Sequence, residues 1–488
     1  MPKLSIRIVL KSILFFTVII LNQLFPAGMN PAWAQNLEKR KLFLYDDIAN
    51  YPWSGFMGSG NGSSINLDMY DEEDPYDGYY SARVSTSGTE SWCGIIIQSR
   101  ANQWTPPGLD FSGAISVNFA LKGKDGGENI RLEFMNGKYT QNLNLSNQWT
   151  EYSQVFSLGD DFTSINSLLA IVIPDNKQIS FFVDEIYFEV NRFQSVAAPS
   201  FPKRIKGIGY NANDPSKYSF DFSMIRNELC ANTLRFWGQS DITWNTLDMA
   251  ADNNLKTILP YWLPRGDDNF EADYSDIVFC NALKRSILNY LEFYLPHASI
   301  IMLSLGNEVF HNLMPTTNEN KEALARYLNV LCGEIHPLYP NLKITYAAVG
   351  SEPLEFLKSY TPNLDVYGSN AYGNIGSVIE DYQNSNYDKP LLFLEFGCFG
   401  WWEKNWYEYS DEERASDYSE NWYVLRSKSI GGCAFAWTDK EENSYTGWGI
   451  VDNDRTKRAQ FHALSKAYCE KVVPSILLPL VLPDSSNN

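Results

Sequence analysis

From Lys203 onward, eight short apolar runs alternate with amphipathic stretches, and this alternation leaves few folds open. The runs are Ile205–Tyr210, Thr233–Trp237, Thr257–Trp262, Ile300–Leu305, Ile344–Ala348, Leu364–Ser369, Leu391–Phe396 and Gly432–Trp437. Short apolar runs of this kind read as strands buried on both faces, as in parallel sheets. Between them, stretches such as Lys321–Glu334 and Asp411–Lys428 carry helical spacing. Strands and helices in alternation make βα units. Eight such units in roughly 270 residues predict a closed (β/α)8 barrel.

Two of these runs end in a carboxylate: Ser304-Leu305-Gly306-Asn307-Glu308 on strand four and Phe393-Leu394-Glu395-Phe396-Gly397 on strand seven. In such barrels the chemistry sits where strands end and loops begin. Two glutamates there can face each other across a sugar, one to protonate the leaving oxygen and one to attack the anomeric carbon. The plainer reading of each is a salt-bridge partner for a neighbouring loop.

The segment before Lys203 has a different texture. Short alternating runs recur, among them Gly94–Ile97, Ile115–Phe119, Ile130–Phe134 and Phe181–Phe188, separated by Gly, Asn and Asp clusters. Many short strands with such turns indicate a β-sandwich. Ala197-Ala198-Pro199-Ser200-Phe201-Pro202 reads as a linker. The first residues read as a secretory leader: basic residues, the apolar core Ile13–Leu21, then Ala32-Trp33-Ala34 before Gln35. The expected division is leader 1–34, sandwich 35–195, linker 196–202, barrel 203–470 and tail 471–488. The apolar core of the leader and the stretch Ile476–Leu482 are both too short to span a membrane. A leader of this kind implies a secreted or periplasmic protein.

Charge narrows the function classes. The net charge is −19, and removing Lys3, Arg7 and Lys11 with the leader takes it to −22. Such a chain repels a phosphate backbone, which argues against nucleic acid, whereas a neutral substrate tolerates it. Aromatic residues make up 15%, enough for large cores with some left over for the flat C–H faces of sugars. The seven cysteines show no Cys-x-x-Cys, and the four histidines show no ligand spacing, so a His-based metal centre is not expected. An odd cysteine count leaves at least one thiol free, and the pairing is open.

At this level of detail the region from Lys203 to about Cys469 resembles clan A of the glycoside hydrolases, retaining (β/α)8 enzymes. The resemblance rests on Asn307-Glu308 at strand four, Glu395 in Leu394-Glu395-Phe396-Gly397 at strand seven, Ala436-Trp437 at strand eight, and Gly449-Ile450-Val451-Asp452-Asn453-Asp454-Arg455. The last string looks most like family-two catalytic domains. The resemblance implies Glu308 as acid/base and Glu395 as nucleophile. Arg235, at the end of strand two, is suited to hold Glu395 as an anion, and Tyr372 to donate to the same carboxylate. Asn307 would donate to the sugar 2-OH, and Trp437 would form the floor under the reacting sugar. Trp262, Trp401, Trp402 and Trp406 are read as subsite platforms or loop-packing residues. His311 reads as a loop hydrogen-bonding residue, and Gly58–Gly62 as a turn, since no Lys and helix follow it as in a phosphate loop.

The front domain resembles jelly-roll, galactose-binding-like carbohydrate-binding modules, chiefly in Val183-Asp184-Glu185-Ile186. That likeness implies a structural calcium with Asp46, Asp47 and Asp184 as ligands, against the plainer reading of solvated strand ends; no other cofactor is expected. Two departures bear on substrate. One sandwich leads almost directly into the barrel, without an immunoglobulin-like domain between. Phe236-Trp237-Gly238 follows Arg235 where family-two enzymes carry a His. The expected activity is a retaining β-glycoside hydrolase on glucan- or mannan-type β-linked chains. The alternatives are a β-glucan transglycosylase using the same glutamates and a non-catalytic sugar-binding protein. Linkage, exo or endo action and oligomeric state are left open.

Overall fold

The computed structural model describes residues 37–470 apart from 54–56, 59–64, 88–91, 101–103, 106–107, 158, 175–177, 194–199, 212–213, 267–270, 296, 398–408 and 440–447. The leader, the tail and Trp401, Trp402 and Trp406 lie outside the described residues.

The front segment folds into two antiparallel sheets. One runs in the order Ile65–Asp71, Ser81–Thr86, Ser180–Phe193, Ala114–Gly123, Thr150–Val155, with Leu37–Tyr45 paired to the second half of Ser180–Phe193. The other runs Met57–Gly58, Cys93–Gln98, Ser167–Ile173, Asn129–Phe134, Tyr139–Asn144. Alternation in Asn129–Phe134 places Ile130, Leu132 and Phe134 in the core. Phe119 of the first sheet and Phe134 of the second meet there, ring centroids 5.7 Å apart. This is the expected sandwich, and its apolar faces are the reason the sheets pair.

The second half closes into a barrel of eight parallel strands in chain order: Ile205–Tyr210, Thr233–Phe236, Lys256–Tyr261, Ile300–Asn307, Lys343–Val349, Val366–Tyr372, Leu391–Gly397 and Gly431–Ala434. These are the eight expected strands, shifted by a few residues at their ends. Their interior is too tight for ordinary side chains at some points. A Cβ on Gly368 would lie 2.5 Å from both Leu394 Cδ1 and the Tyr346 carbonyl oxygen.

The chain beyond strand eight buttresses the barrel. Arg455 makes a two-pronged pair with the buried Asp221 at 2.8 Å, and Tyr210 donates to the same carboxylate at 2.8 Å. The string Gly449–Arg455 therefore has a structural duty: it clamps the helix Tyr218–Asn227 onto the barrel. The closing helix, Ala459–Cys469, is tied back by a Cys230–Cys469 disulfide. Cys93, Cys280, Cys332 and Cys433 are buried free thiols.

The sandwich is packed onto the barrel rather than tethered beside it. Its main seat is the barrel helix Ile277–Tyr294. Arg40 donates to the carbonyls of Glu292 and Leu295, both at 2.5 Å, satisfying acceptors left open at that helix's C-terminal end. Asn289 donates to Asp46 at 2.7 Å, and Ser286 to Asn50 at 3.2 Å. Arg285 reaches Asp77 at 2.7 Å and also binds Glu185. A β-bulge at Asp184–Glu185, with Glu185 at φ 52°, lets two successive acids serve this region.

The same contacts give the three expected calcium ligands other partners. Asp46 accepts the N–H groups of Asp47 and Ile48, Asp47 those of Tyr79 and Tyr80, and Asp184 those of Tyr76 and Glu185. Carboxylates that gather backbone donors, with a guanidinium alongside, do not fit a cation cage. Among the described residues no group of three or more ligating side chains could hold a metal ion. Burial raises Asp46 to about 6, Glu185 to about 7 and Asp184 to about 8.

Candidate active site

Four strands of the barrel deliver polar side chains to one point near their C-terminal ends. Strand two brings Arg235, strand four Asn307, strand six Asn370 and Tyr372, and strand seven Glu395. Asn370 and Tyr372 are two residues apart, so the pleat turns both to the same face. Glu308 is the first residue past strand four and sits in the left-handed region, φ 57° and ψ 26°. A non-glycine residue held there is strained by about 1–3 kcal/mol, a feature that clusters at functional sites. Its N–H is anchored to the Ala347 carbonyl at 2.8 Å.

The group is knit by hydrogen bonds. Arg235 Nη1 donates to Glu395 Oε1 at 2.5 Å, and its Nη2 to Asn307 Oδ1 at 2.8 Å. Asn370 Nδ2 donates to Glu308 Oε1 at 2.8 Å and to Asn307 Oδ1 at 3.2 Å. The Tyr372 hydroxyl donates to Glu395 Oε2. Each oxygen of Glu395 thus receives a donor, a setting that suits a carboxylate. Two donors on Asn307 Oδ1 fix its amide so that Nδ2 is turned to donate elsewhere.

The two glutamates are held differently. Glu395 is buried and paired with a cation. Glu308 has a pKa raised above the ordinary carboxylate value, first by burial and then by the charge of Glu395, with the Asn370 hydrogen bond opposing. Burial and the Glu395 charge likewise push the Tyr372 hydroxyl well above its usual range, so it stays a donor. One half-buried carboxyl biased toward the acid beside one bound by two donors is the division of labour that acid–base and nucleophilic chemistry requires.

Aromatic rings back this group. Tyr372 stands edge-on to Trp448 at 5.2 Å, and Phe435 to Trp237 at 5.1 Å. A cis peptide joins Phe435 and Ala436. Trp437 does not form the floor of the cleft. It is fully buried, and its ring packs edge-on against Phe461 of the closing helix. Strand eight ends at Ala434, short of the expected Trp437, and Phe435 and Trp448 take the place beside Tyr372. Trp262, just past strand three, is 39% exposed. His311 pairs with Glu352 at 2.7 Å in an exposed position.

The residue that sequence reasoning missed is Asn370. Its signal was present, two places before Tyr372 on the same strand, but only the closed barrel shows that it bridges Asn307 and Glu308.

No family model matches the chain, and no curated protein matches it. Solved structures similar to it include a β-glucuronidase of Bacteroides uniformis (13% identity, 83% of this chain and 51% of that chain, TM-score 0.46). A GH2 β-galacturonidase of Eisenbergiella tayi bound to galacturonate shows 10% identity over 89% of this chain and 98% of that chain, with a TM-score of 0.47. A β-D-glucuronidase of Dictyoglomus thermophilum shows 10% identity over 91% and 98%, also at 0.47. The chain spans about half the length of the Bacteroides uniformis protein, 51%.

Proposed function

We propose that this protein is an exported retaining β-glycoside hydrolase that cleaves β-linked oligo- or polysaccharides of glucan or mannan type by double displacement. The observation that carries the reading is the unequal treatment of the two glutamates: Glu395 bound by Arg235 and Tyr372, Glu308 half-buried with its pKa raised.

In the first step a Glu395 oxygen attacks the anomeric carbon while the Glu308 proton passes to the glycosidic oxygen. The C–O bond breaks, the aglycone leaves as an alcohol, and a glycosyl ester of Glu395 remains. Esterification removes the negative charge of Glu395, one of the causes that raise Glu308. Glu308, now an anion, takes a proton from water as the water oxygen attacks the same carbon, which releases Glu395 and returns the proton to Glu308. Asn307 Nδ2 is positioned to donate to the 2-OH, a contact that strengthens as the oxocarbenium character grows. A sugar hydroxyl in place of water would make the same site a transglycosylase, and product sizing at high acceptor concentration separates the two.

The export reading is supported by the leader-like first 34 residues and by the Cys230–Cys469 disulfide, a bond that persists in oxidising compartments. The neutral substrate class is supported by the charge of −19 and by Arg235, whose guanidinium is committed to Glu395 and Asn307.

Glu395→Ala tests the mechanism. Turnover of an aryl β-glycoside should vanish, and added azide should restore part of it, giving a glycosyl azide of inverted configuration, because a small anion fits the space of the lost carboxylate. Wild-type turnover in this variant would refute the assignment. Aryl glucosides, mannosides, glucuronides and galacturonides should be run together so that the sugar is read in the same assay.

A further inference from the structure

We infer that the sandwich builds part of the substrate cleft. Resting on the function proposed above, its Arg100 fixes the segment Trp237–Asp241, and that segment holds the indole of Trp262 as a platform for a sugar unit beyond the one that reacts. Arg100 is a positioning residue here, and Trp262 is the residue that touches sugar.

The chain of contacts starts at Trp262, just beyond strand three and next to the strand that delivers Asn307 and Glu308. Its backbone N–H donates to Gln239 Oε1 at 2.6 Å and its indole N–H to the Trp237 carbonyl at 2.7 Å. Both polar hydrogens are therefore taken by one loop, and what remains open, in a side chain 39% exposed, is apolar ring. An amphipathic ring with its polar end consumed and part of its apolar surface exposed is suited to the C–H face of a pyranose. The same loop leads back toward the reacting centre, since the Trp237 ring abuts Phe435, and Phe435 abuts Tyr372, the donor to Glu395.

The loop is held from within and from outside. Asp241 accepts the Gly238 N–H at 3.0 Å through one oxygen and faces Arg100 Nε at 3.3 Å through the other. Arg100 belongs to the sandwich, just past its strand Cys93–Gln98, yet it is only 8% exposed and donates to the Tyr218 hydroxyl of the barrel at 2.6 Å. A guanidinium buried between two domains needs partners of fixed geometry. Here those partners place the loop on which Trp262 depends.

Binding is measured separately from turnover. The Glu308→Gln protein is titrated by calorimetry with β-1,3- and β-1,4-linked gluco- and manno-oligosaccharides of two to five units, alone and combined with Arg100→Ala, Arg100→Lys, Trp262→Ala and the Arg100→Ala/Trp262→Ala pair. Arg100→Ala and Trp262→Ala should each weaken the tetramer by about tenfold. The pair should be no weaker than Trp262→Ala alone, and Arg100→Lys should recover part of the loss. If Arg100→Ala fails to fold, Asp241→Asn reads the same link, because its amide still accepts from Gly238 but loses the charge facing Arg100. Unchanged binding with a lowered melting temperature, losses that multiply in the pair, or no binding of any oligosaccharide by the parent would each overturn the inference. Absence of turnover by the wild type with binding intact would sink the proposed function and leave the platform standing.

Discussion

At the scale of single residues the site turns on what each glutamate is allowed to be. Glu308 is raised by burial and by the charge of Glu395, and is held down by the Asn370 hydrogen bond. As the acid, Glu308 must carry its proton when substrate arrives, so kcat/KM should fall as pH rises through its pKa. Asn370→Ala removes a cause that lowers that pKa. The alkaline limb of the pH–rate profile should therefore move to higher pH, and the rate below it should drop because Asn307 loses one of its two donors. An alkaline limb that stays put or moves to lower pH in Asn370→Ala would show that this limb does not report Glu308.

At the scale of elements, the strands act as rigid carriers. The two-residue pleat of Val366–Tyr372 sends Asn370 toward Glu308 and Tyr372 toward Glu395 from a single strand. Such carriers work only if the barrel closes tightly, and Gly368 on the same strand shows how tightly. A Cβ there meets the Tyr346 carbonyl oxygen and Leu394 Cδ1 at 2.5 Å, and the backbone atom cannot swing aside. Gly368→Ala should cost about 1–3 kcal/mol of stability by overpacking and should reduce kcat as well, by shifting the strand that holds two site residues. Urea unfolding together with kinetics would check this, and an unchanged midpoint would mean that the strand relaxes freely.

At the scale of the whole molecule, buried acids crowd the junction of the two domains around one cation. Arg285 of the barrel helix meets Asp77 and Glu185 and faces the buried Asp47, while Asp46 and Asp184 are buried in the same region. Asp46, Glu185 and Asp184 are raised to about 6, 7 and 8. Unfolded carboxylates titrate near ~4. Between that value and the raised ones these three groups hold more protons in the folded state than in the unfolded state, so their contribution to stability falls as pH rises through this window. The melting temperature of the wild type should therefore fall relative to that of Asp184→Asn as pH rises from about 4 to about 8. A difference between the two proteins that stays constant over this range would contradict the arrangement.

The fold was largely legible in the amino-acid order because its signals are local. Buried apolar runs at regular spacing marked all eight barrel strands to within a few residues, and carboxylates closing the fourth and seventh runs drew attention to Glu308 and Glu395. Alternation in runs such as Asn129–Phe134 marked the sandwich for the same reason: each pattern repeats over two to four residues. What tertiary structure alone decided lies between residues far apart in the chain. Asn370 bridges Asn307 and Glu308 from more than 60 positions away, and Cys230 meets Cys469 across 239. Trp437 looked like a cleft residue beside strand eight, yet it turned inward, because strand eight ends at Ala434 and the closing helix covers the ring. Asp46, Asp47 and Asp184, expected as calcium ligands, collect backbone N–H groups in the folded chain, and Asp47 also faces Arg285. Periodicity states which face of an element is buried; which partners it meets there is settled only when the barrel closes and the sandwich docks.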